Sequence, residues 1–127
     1  MNADETAPQG ISQRIIGCGF AVANTLGPGF LEKVYENALA YELRTVGLTV
    51  AQQQSAKVVY KGLIVGEYVT DLLVERSVMV EVKAVRAFDE VPRAQCINYL
   101  RCTGSHLCLL LNFGRPGLEI KRIAWQL

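Results

Sequence analysis

Asp71-Leu72-Leu73-Val74-Glu75-Arg76-Ser77-Val78-Met79-Val80-Glu81-Val82-Lys83 is the stretch that decides the fold. Two β-rich runs, Leu63 to Val74 and Val78 to Val85, flank the short polar link Glu75-Arg76-Ser77. Side chains alternate along a strand, so Val78, Val80, Val82 and Ala84 share one face, expected to be core. Met79, Glu81 and Lys83 share the other. With a three-residue link, Val74 pairs with Val78 and Asp71 falls opposite Glu81. A two-residue link would send Asp71 to the opposite face. The odd link therefore predicts two facing carboxylates, with Cβ atoms about 4.5–5.5 Å apart, and a lysine one step along.

On the N-terminal side, Ile11, Ile15, Cys18 or Gly19 and Val22 recur at helical spacing, predicting a helix over 11–26. Gly27-Pro28-Gly29 breaks it. A second helix is expected from Phe30 to Thr45, with Leu31, Val34, Tyr35, Ala38 and Leu39 on one side and Gly47 as its C-terminal stop. Leu48 to Tyr60 is β-rich, although Gln52-Gln53-Gln54 leaves its pairing open. On the C-terminal side, Asp89 is a candidate cap for a helix with Pro92 in its first turn, ending near Cys102 before Gly104. His106 to Asn112 is a nearly continuous apolar run, as in a strand buried on both faces. Gly114 to Gly117 is a turn and Leu118 to Trp125 a last strand. The order α-α-β-β-β-α-β-β predicts a mixed α/β layer fold.

The chain has 127 residues, 50% hydrophobic and 20% charged, which suits one domain with a packed core. Residues 1–10 are expected to be a tail and 11–127 the domain. Its single histidine, His106, excludes any mechanism needing a histidine pair within one chain. None of Cys18, Cys96, Cys102 and Cys108 forms a Cys-x-x-Cys pair, so they read as small buried thiols. Met1 to Gly10 lacks the basic and apolar regions of a signal peptide, and no apolar run reaches membrane-spanning length. A cytoplasmic protein with no membrane partner is expected. The net charge of +1 is not that of a chain that coats nucleic acid by bulk charge. A nucleic-acid role needs a local site.

Such a site has candidates. Like charges facing across a sheet repel, and a divalent cation between Asp71 and Glu81 would remove that penalty. Oxygen donors point to Mg²⁺. Lys83 would then orient a metal-bound water or offset charge on a phosphate. A solvated strand face also explains Glu-x-Lys, and spacing alone leaves both readings open. Glu32 and Tyr35 are neighbours on one helix surface, as are Gln95 and Tyr99. Taken singly, each pair also reads as a solvated polar residue beside a packed tyrosine. Arg93 and Arg101 share a stripe with Ile97, and Arg86 follows the third strand, so all three are candidate phosphate contacts. His106 opens an apolar strand with no cysteine beside it, and reads as structural.

Together these clusters resemble a known family. Gly29-x-x-Glu32-x-x-Tyr35 is similar to the motif of the bacterial GxxExxY proteins. Asp71…Glu81-x-Lys83 resembles the signature of the PD-(D/E)XK nuclease superfamily, and Gln95-x-x-x-Tyr99 that of its RecB-like branch. The resemblance covers about residues 11–125. It implies a restriction-endonuclease-like αβββαβ core with an extra N-terminal helical segment and a C-terminal strand. It implies that Asp71, Glu81, the Val82 carbonyl and Glu32 hold Mg²⁺ or Mn²⁺ and that Lys83 is the catalytic lysine. Gln95 would support the site or a phosphate, with Tyr35 and Tyr99 supporting. Thr70 stands where the superfamily signature has proline. The implied activity is metal-dependent phosphodiester hydrolysis, with DNA favoured over RNA. The alternative is a non-catalytic nucleic-acid- or protein-binding module that keeps the nuclease fold. A homodimer is the expected oligomer, since two-fold dimers are the commonest.

Overall fold

The breaker at Gly27-Pro28-Gly29 separates two helices, α1 (Pro8–Leu26) and α2 (Glu32–Thr45). In the computed structural model, residues 7–87 and 92–125 are described. Gly27 takes φ 66° and donates its N–H to the Ala23 carbonyl at 2.9 Å, which ends α1. Gly47, at φ 89°, turns the chain after α2. Five strands follow, interrupted by one helix: β1 (Val50–Tyr60), β2 (Leu63–Val74), β3 (Val78–Lys83), α3 (Pro92–Thr103), β4 (Leu107–Asn112) and β5 (Glu119–Ala124). The expected tail is already helical from Pro8. Residues 1–6, and the cap expected at Asp89, lie outside the described residues.

The sheet order is β1-β2-β3-β4-β5. Neighbours are antiparallel except β3 and β4, which run parallel because α3 carries the chain between them. Both faces of the sheet are covered. Leu72, Val74, Val78, Val80, Val82, Leu107, Leu109 and Leu111 form one cluster with α1 and α2. Met79, Cys108, Leu110 and Ile123 pack with Cys96, Tyr99 and Leu100 of α3. This two-sided burial explains why β4 is apolar at nearly every position. At its end Asn112, fully buried, bonds both the N–H and the carbonyl of Val85 through its amide, at 3.0 and 2.8 Å. It thereby fixes the chain leaving β3.

The stripe expected on the second helix needs correction. The helix starts at Glu32, not Phe30, and buries Tyr35, Glu36, Leu39, Ala40 and Leu43. Leu31 is 80% exposed and Val34 is 39% exposed. Leu31 precedes the first turn, so it lies outside the helical stripe. Tyr35 sets the helix rotation. Its ring stacks on Phe113 at 4.8 Å, and its hydroxyl donates to the Gly27 carbonyl at 2.6 Å and accepts from the Phe30 N–H at 3.1 Å. The third strand also ends earlier than expected, at Lys83 rather than Val85.

All four cysteines are free thiols, with Cys18, Cys96 and Cys108 buried as expected and Cys102 exposed. His106 sits just before β4 and contacts the Trp125 carbonyl through Nδ1 at 3.1 Å, while the Trp125 N–H donates to the His106 carbonyl. It joins the ends of two strands, a structural task. Among the described residues no helix is long and apolar enough to cross a membrane.

Candidate active site

The link Glu75-Arg76-Ser77 builds the register. Glu75 and Arg76 take φ 54° and 53°, and the Ser77 N–H donates to the Val74 carbonyl at 3.0 Å. Positive φ at both central residues is the type I′ turn that suits a hairpin's twist. Glu75 is held there by Thr49, whose backbone N–H and hydroxyl both donate to its carboxylate. Ser77 adds one residue before pairing begins, so Val74 pairs with Val78, Leu73 with Met79 and Leu72 with Val80. This is the expected register, and it directs Asp71 toward Glu81.

At that point the two strands exchange side-chain bonds in place of ladder bonds. The Val82 N–H donates to Asp71 Oδ2 at 2.8 Å. The Asp71 N–H donates to Glu81 Oε1 at 3.3 Å. The Thr70 hydroxyl, fully buried, donates to the same Glu81 oxygen at 2.8 Å. A proline at position 70 has no such donor, so the departure from the superfamily signature adds a contact to Glu81. Burial, then the charge of Asp71, pushes the Glu81 carboxyl up from 4.5 to about 7. The bonds from Thr70 and the Asp71 N–H, and the Lys83 charge, act in the other direction. A carboxylate so placed is stabilised by added positive charge.

Glu81, Lys83, Gln95 and Tyr99 line one cavity of about 20 Å³, together with Tyr68 and Cys96. That is room for a water-sized group. Tyr99 is buried and donates its hydroxyl to the Gln54 carbonyl at 3.2 Å, which docks α3 onto β1 and places Gln95 at the cavity. Burial raises the Tyr99 phenol, as does the nearby charge of Glu81. Cys96 shares a hydrogen bond with Cys108, which lowers the Cys96 thiol, while that bond and burial raise Cys108. Asp71 meets this cavity through Glu81 and is not part of its lining. Arg86, Arg93 and Arg101 are exposed.

Glu32 opens α2 and is exposed. The acid of α2 that the hydrogen bonds tie to the carboxylate pair is Glu36, one turn further on. It is 4% exposed and accepts from Lys33 at 3.2 Å, Gln52 at 2.8 Å and Gln53 at 2.9 Å. The Gln53 amide also donates to Asp71 Oδ1 at 3.3 Å. It reaches both because Gln53 takes φ 53° inside β1, where Gln52 and Gln54 pair with Leu72 and Thr70 and Gln53 drops out of the ladder. Such backbone costs about 1–3 kcal/mol and persists where surroundings hold it. Glu36 and Gln53 were not singled out from sequence, and Thr70 was noted only for the proline it replaces. Glu36 left one trace, a carboxylate between Tyr35 and Leu39 on an otherwise apolar stripe. Gln53 left another, the glutamine run inside a strand.

Asp71 and Glu81 supply the hard oxygen donors that Mg²⁺ or Mn²⁺ takes, and the penalty on ionised Glu81 is one that a divalent cation relieves. The residues fit such an ion held by two carboxylates, with waters completing its shell. Among the described residues no three of His, Cys, Asp and Glu converge on one point.

Comparison with known proteins places this arrangement. The solved structure described as "Crystal structure of SSO0001" shares the fold, with a TM-score of 0.54 and 15% identity over 75% of this chain and 50% of that one. The chain thus spans about half the length of that protein. A search of curated proteins finds no match. The PD-(D/E)XK nuclease superfamily matches residues 9–123, nearly the whole chain. With the mixed sheet, its covering helices and the carboxylates at the β2–β3 opening in place, the chain belongs to the PD-(D/E)XK nuclease superfamily.

Proposed function

We propose that this chain is a Mg²⁺- or Mn²⁺-dependent nuclease that hydrolyses phosphodiester bonds of DNA. One observation carries the reading: Asp71 and Glu81 meet where the β2–β3 ladder opens, and Lys83 faces the same cavity as Glu81. The bound cation would supply charge stabilisation on the phosphate and a more acidic water. Asp71 and Glu81 hold it. Lys83 offsets negative charge developing on the phosphoryl oxygens and orients the attacking water. Gln95 contacts a phosphate oxygen through its amide. Tyr99 lines the cavity and docks α3 onto β1, while Tyr35, outside it, docks α2. Arg86, Arg93 and Arg101 contact the nucleic-acid backbone. Gly29, Glu32 and Tyr35 support a place among the GxxExxY proteins, and Gln95 with Tyr99 a place in the RecB-like branch. The setting we infer is the bacterial cytoplasm.

The test is cleavage of labelled single- and double-stranded DNA and RNA in Mg²⁺ or Mn²⁺, against EDTA. Metal-dependent cleavage lost in Lys83→Ala and Asp71→Ala is the expected result. Activity that survives both changes overturns the site. A second reading, a binding module without catalysis, is favoured by the way both Asp71 oxygens are engaged, by Val82 and Gln53. Nucleic-acid binding with no metal uptake by calorimetry and no cleavage would select it.

A further inference from the structure

Tyr68, which lines the site cavity, also lines a second, larger groove of about 570 Å³ between the β1–β2 hairpin and the outer face of α3. Lys57, Val58 and Val59 form its hairpin side, and Asn98 and Arg101 its helical side. Gln95, Asn98 and Arg101 follow one another at three-residue steps along α3, so a single stripe runs from the site into the groove. At 1.5 Å rise per residue that stripe is about 9 Å long.

We propose that this groove is the track on which single-stranded nucleic acid reaches the site; this rests on the nuclease reading above. The lining supplies what a single strand asks for. Arg101 is exposed, and its guanidinium suits a backbone phosphate. Lys57 adds a second cation on the facing wall, where it is paired with Glu67. Tyr68 is half-buried and packed against the α3-side core, so its ring is held as a platform for a base, with Val58 and Val59 as an apolar wall. Asn98 offers hydrogen bonds without a charge. The groove's volume is that of a small-ligand pocket, room for one or two nucleotides and not for a duplex. A chain with net charge +1 lacks the field to hold a duplex along its outside, whereas the Arg101 guanidinium and an aromatic ring in one groove suit a single strand.

The experiment separates binding from cleavage. Fluorescence anisotropy in EDTA measures binding of a labelled thymidine dodecamer and of a labelled duplex of the same length to the wild-type chain, Arg101→Glu and Tyr68→Leu. Thermal melts confirm that each variant is folded, and Tyr68→Phe serves as a second, better-tolerated variant that keeps the ring. The wild type should bind the single strand more tightly than the duplex. Arg101→Glu should weaken that binding at least tenfold and reduce the salt slope by about 0.7, the value for one lost phosphate contact on a single strand. Tyr68→Leu should weaken it by about fivefold to a hundredfold, as loss of one stacked base does, and Tyr68→Phe should restore it. Tighter duplex binding, or folded Arg101→Glu and Tyr68→Leu variants within twofold of the wild type, would overturn the groove. A wild type that cleaves while both variants bind normally refutes the groove and leaves the nuclease reading intact. Variant-sensitive binding without metal-dependent cleavage supports the groove and refutes catalysis.

Discussion

Replacing Glu81 by glutamine should make the metal-free protein more stable at neutral pH and remove much of its pH dependence. The carboxyl is raised from 4.5 to about 7 in the folded state, by burial first and the Asp71 charge second. A raised carboxyl favours the folded state while it is protonated, below about 4.5. That contribution is lost as pH rises through about 7. A tenfold change in a proton equilibrium is about 1.4 kcal/mol, so the loss amounts to ~3 kcal/mol across this window. Glutamine has no proton to lose, and its amide oxygen still accepts from Thr70 and the Asp71 N–H. The gap between the two proteins should therefore widen by ~3 kcal/mol from pH 4.5 to pH 8, or ~10 °C in Tm for a chain of this size. Urea or thermal unfolding in EDTA at several pH values reads it. Asp71→Asn should move the decline to lower pH without abolishing it, because burial remains. Added Mg²⁺ should stabilise the wild type above pH 7 and leave Glu81→Gln unchanged, by the linkage of binding to folding. Parallel stability curves for wild type and Glu81→Gln between pH 4.5 and 8 would refute the reasoning, since Glu81 would then ionise as freely folded as unfolded.

Other changes probe the scaffold around the pair. Arg76→Gly should stabilise the protein by about 1 kcal/mol in urea unfolding, because glycine takes φ 53° without the cost of a Cβ. Gln53→Leu leaves Glu36 and Asp71 each short of a donor; a loss of about 1–3 kcal/mol is expected in the same assay. Tyr35→Phe removes one hydroxyl that bonds both Gly27 and Phe30, and should lower Tm by an amount matching about 1–3 kcal/mol. Gly114→Ala would bring a Cβ within 2.3 Å of the Val85 backbone, so it should displace the chain after Lys83 and lower both Tm and any metal affinity measured by calorimetry.

Much of this structure is local in origin. The stripes of α1, the glycine stops at Gly27 and Gly47, and the alternation on β2 and β3 are properties of neighbouring residues. They were legible from periodicity alone. So was the register that faces Asp71 with Glu81, because hairpin pairing follows from the length of the link between two strands. The start of α2 was harder to read. Phe30, Leu31 and Val34 look like core residues by hydrophobicity, yet Leu31 precedes the first turn, and the Tyr35 hydroxyl bonds to Gly27 and Phe30 set a helix rotation that leaves Val34 exposed. Those bonds join residues five and eight positions apart through a bent loop, which no helical period encodes.

What the sequence by itself determined is the set of chemical groups and their order: two carboxylates and a lysine on facing strands, a glutamine four residues before a tyrosine, and helices to cover the sheet. Side-chain alternation and helical pitch are short-range, so these relations survive without knowledge of the rest of the chain. Tertiary structure alone decided which α2 acid is tied to the pair. Glu36 is chosen because β1 crosses α2 with Gln53 at positive φ, and the resulting amide reaches both Glu36 and Asp71. It also decided the burial of Glu81. The same carboxylate on a solvated strand would titrate in the ordinary range. The packing of the fold around that face desolvates it and, with Asp71 beside it, lifts the group to about 7.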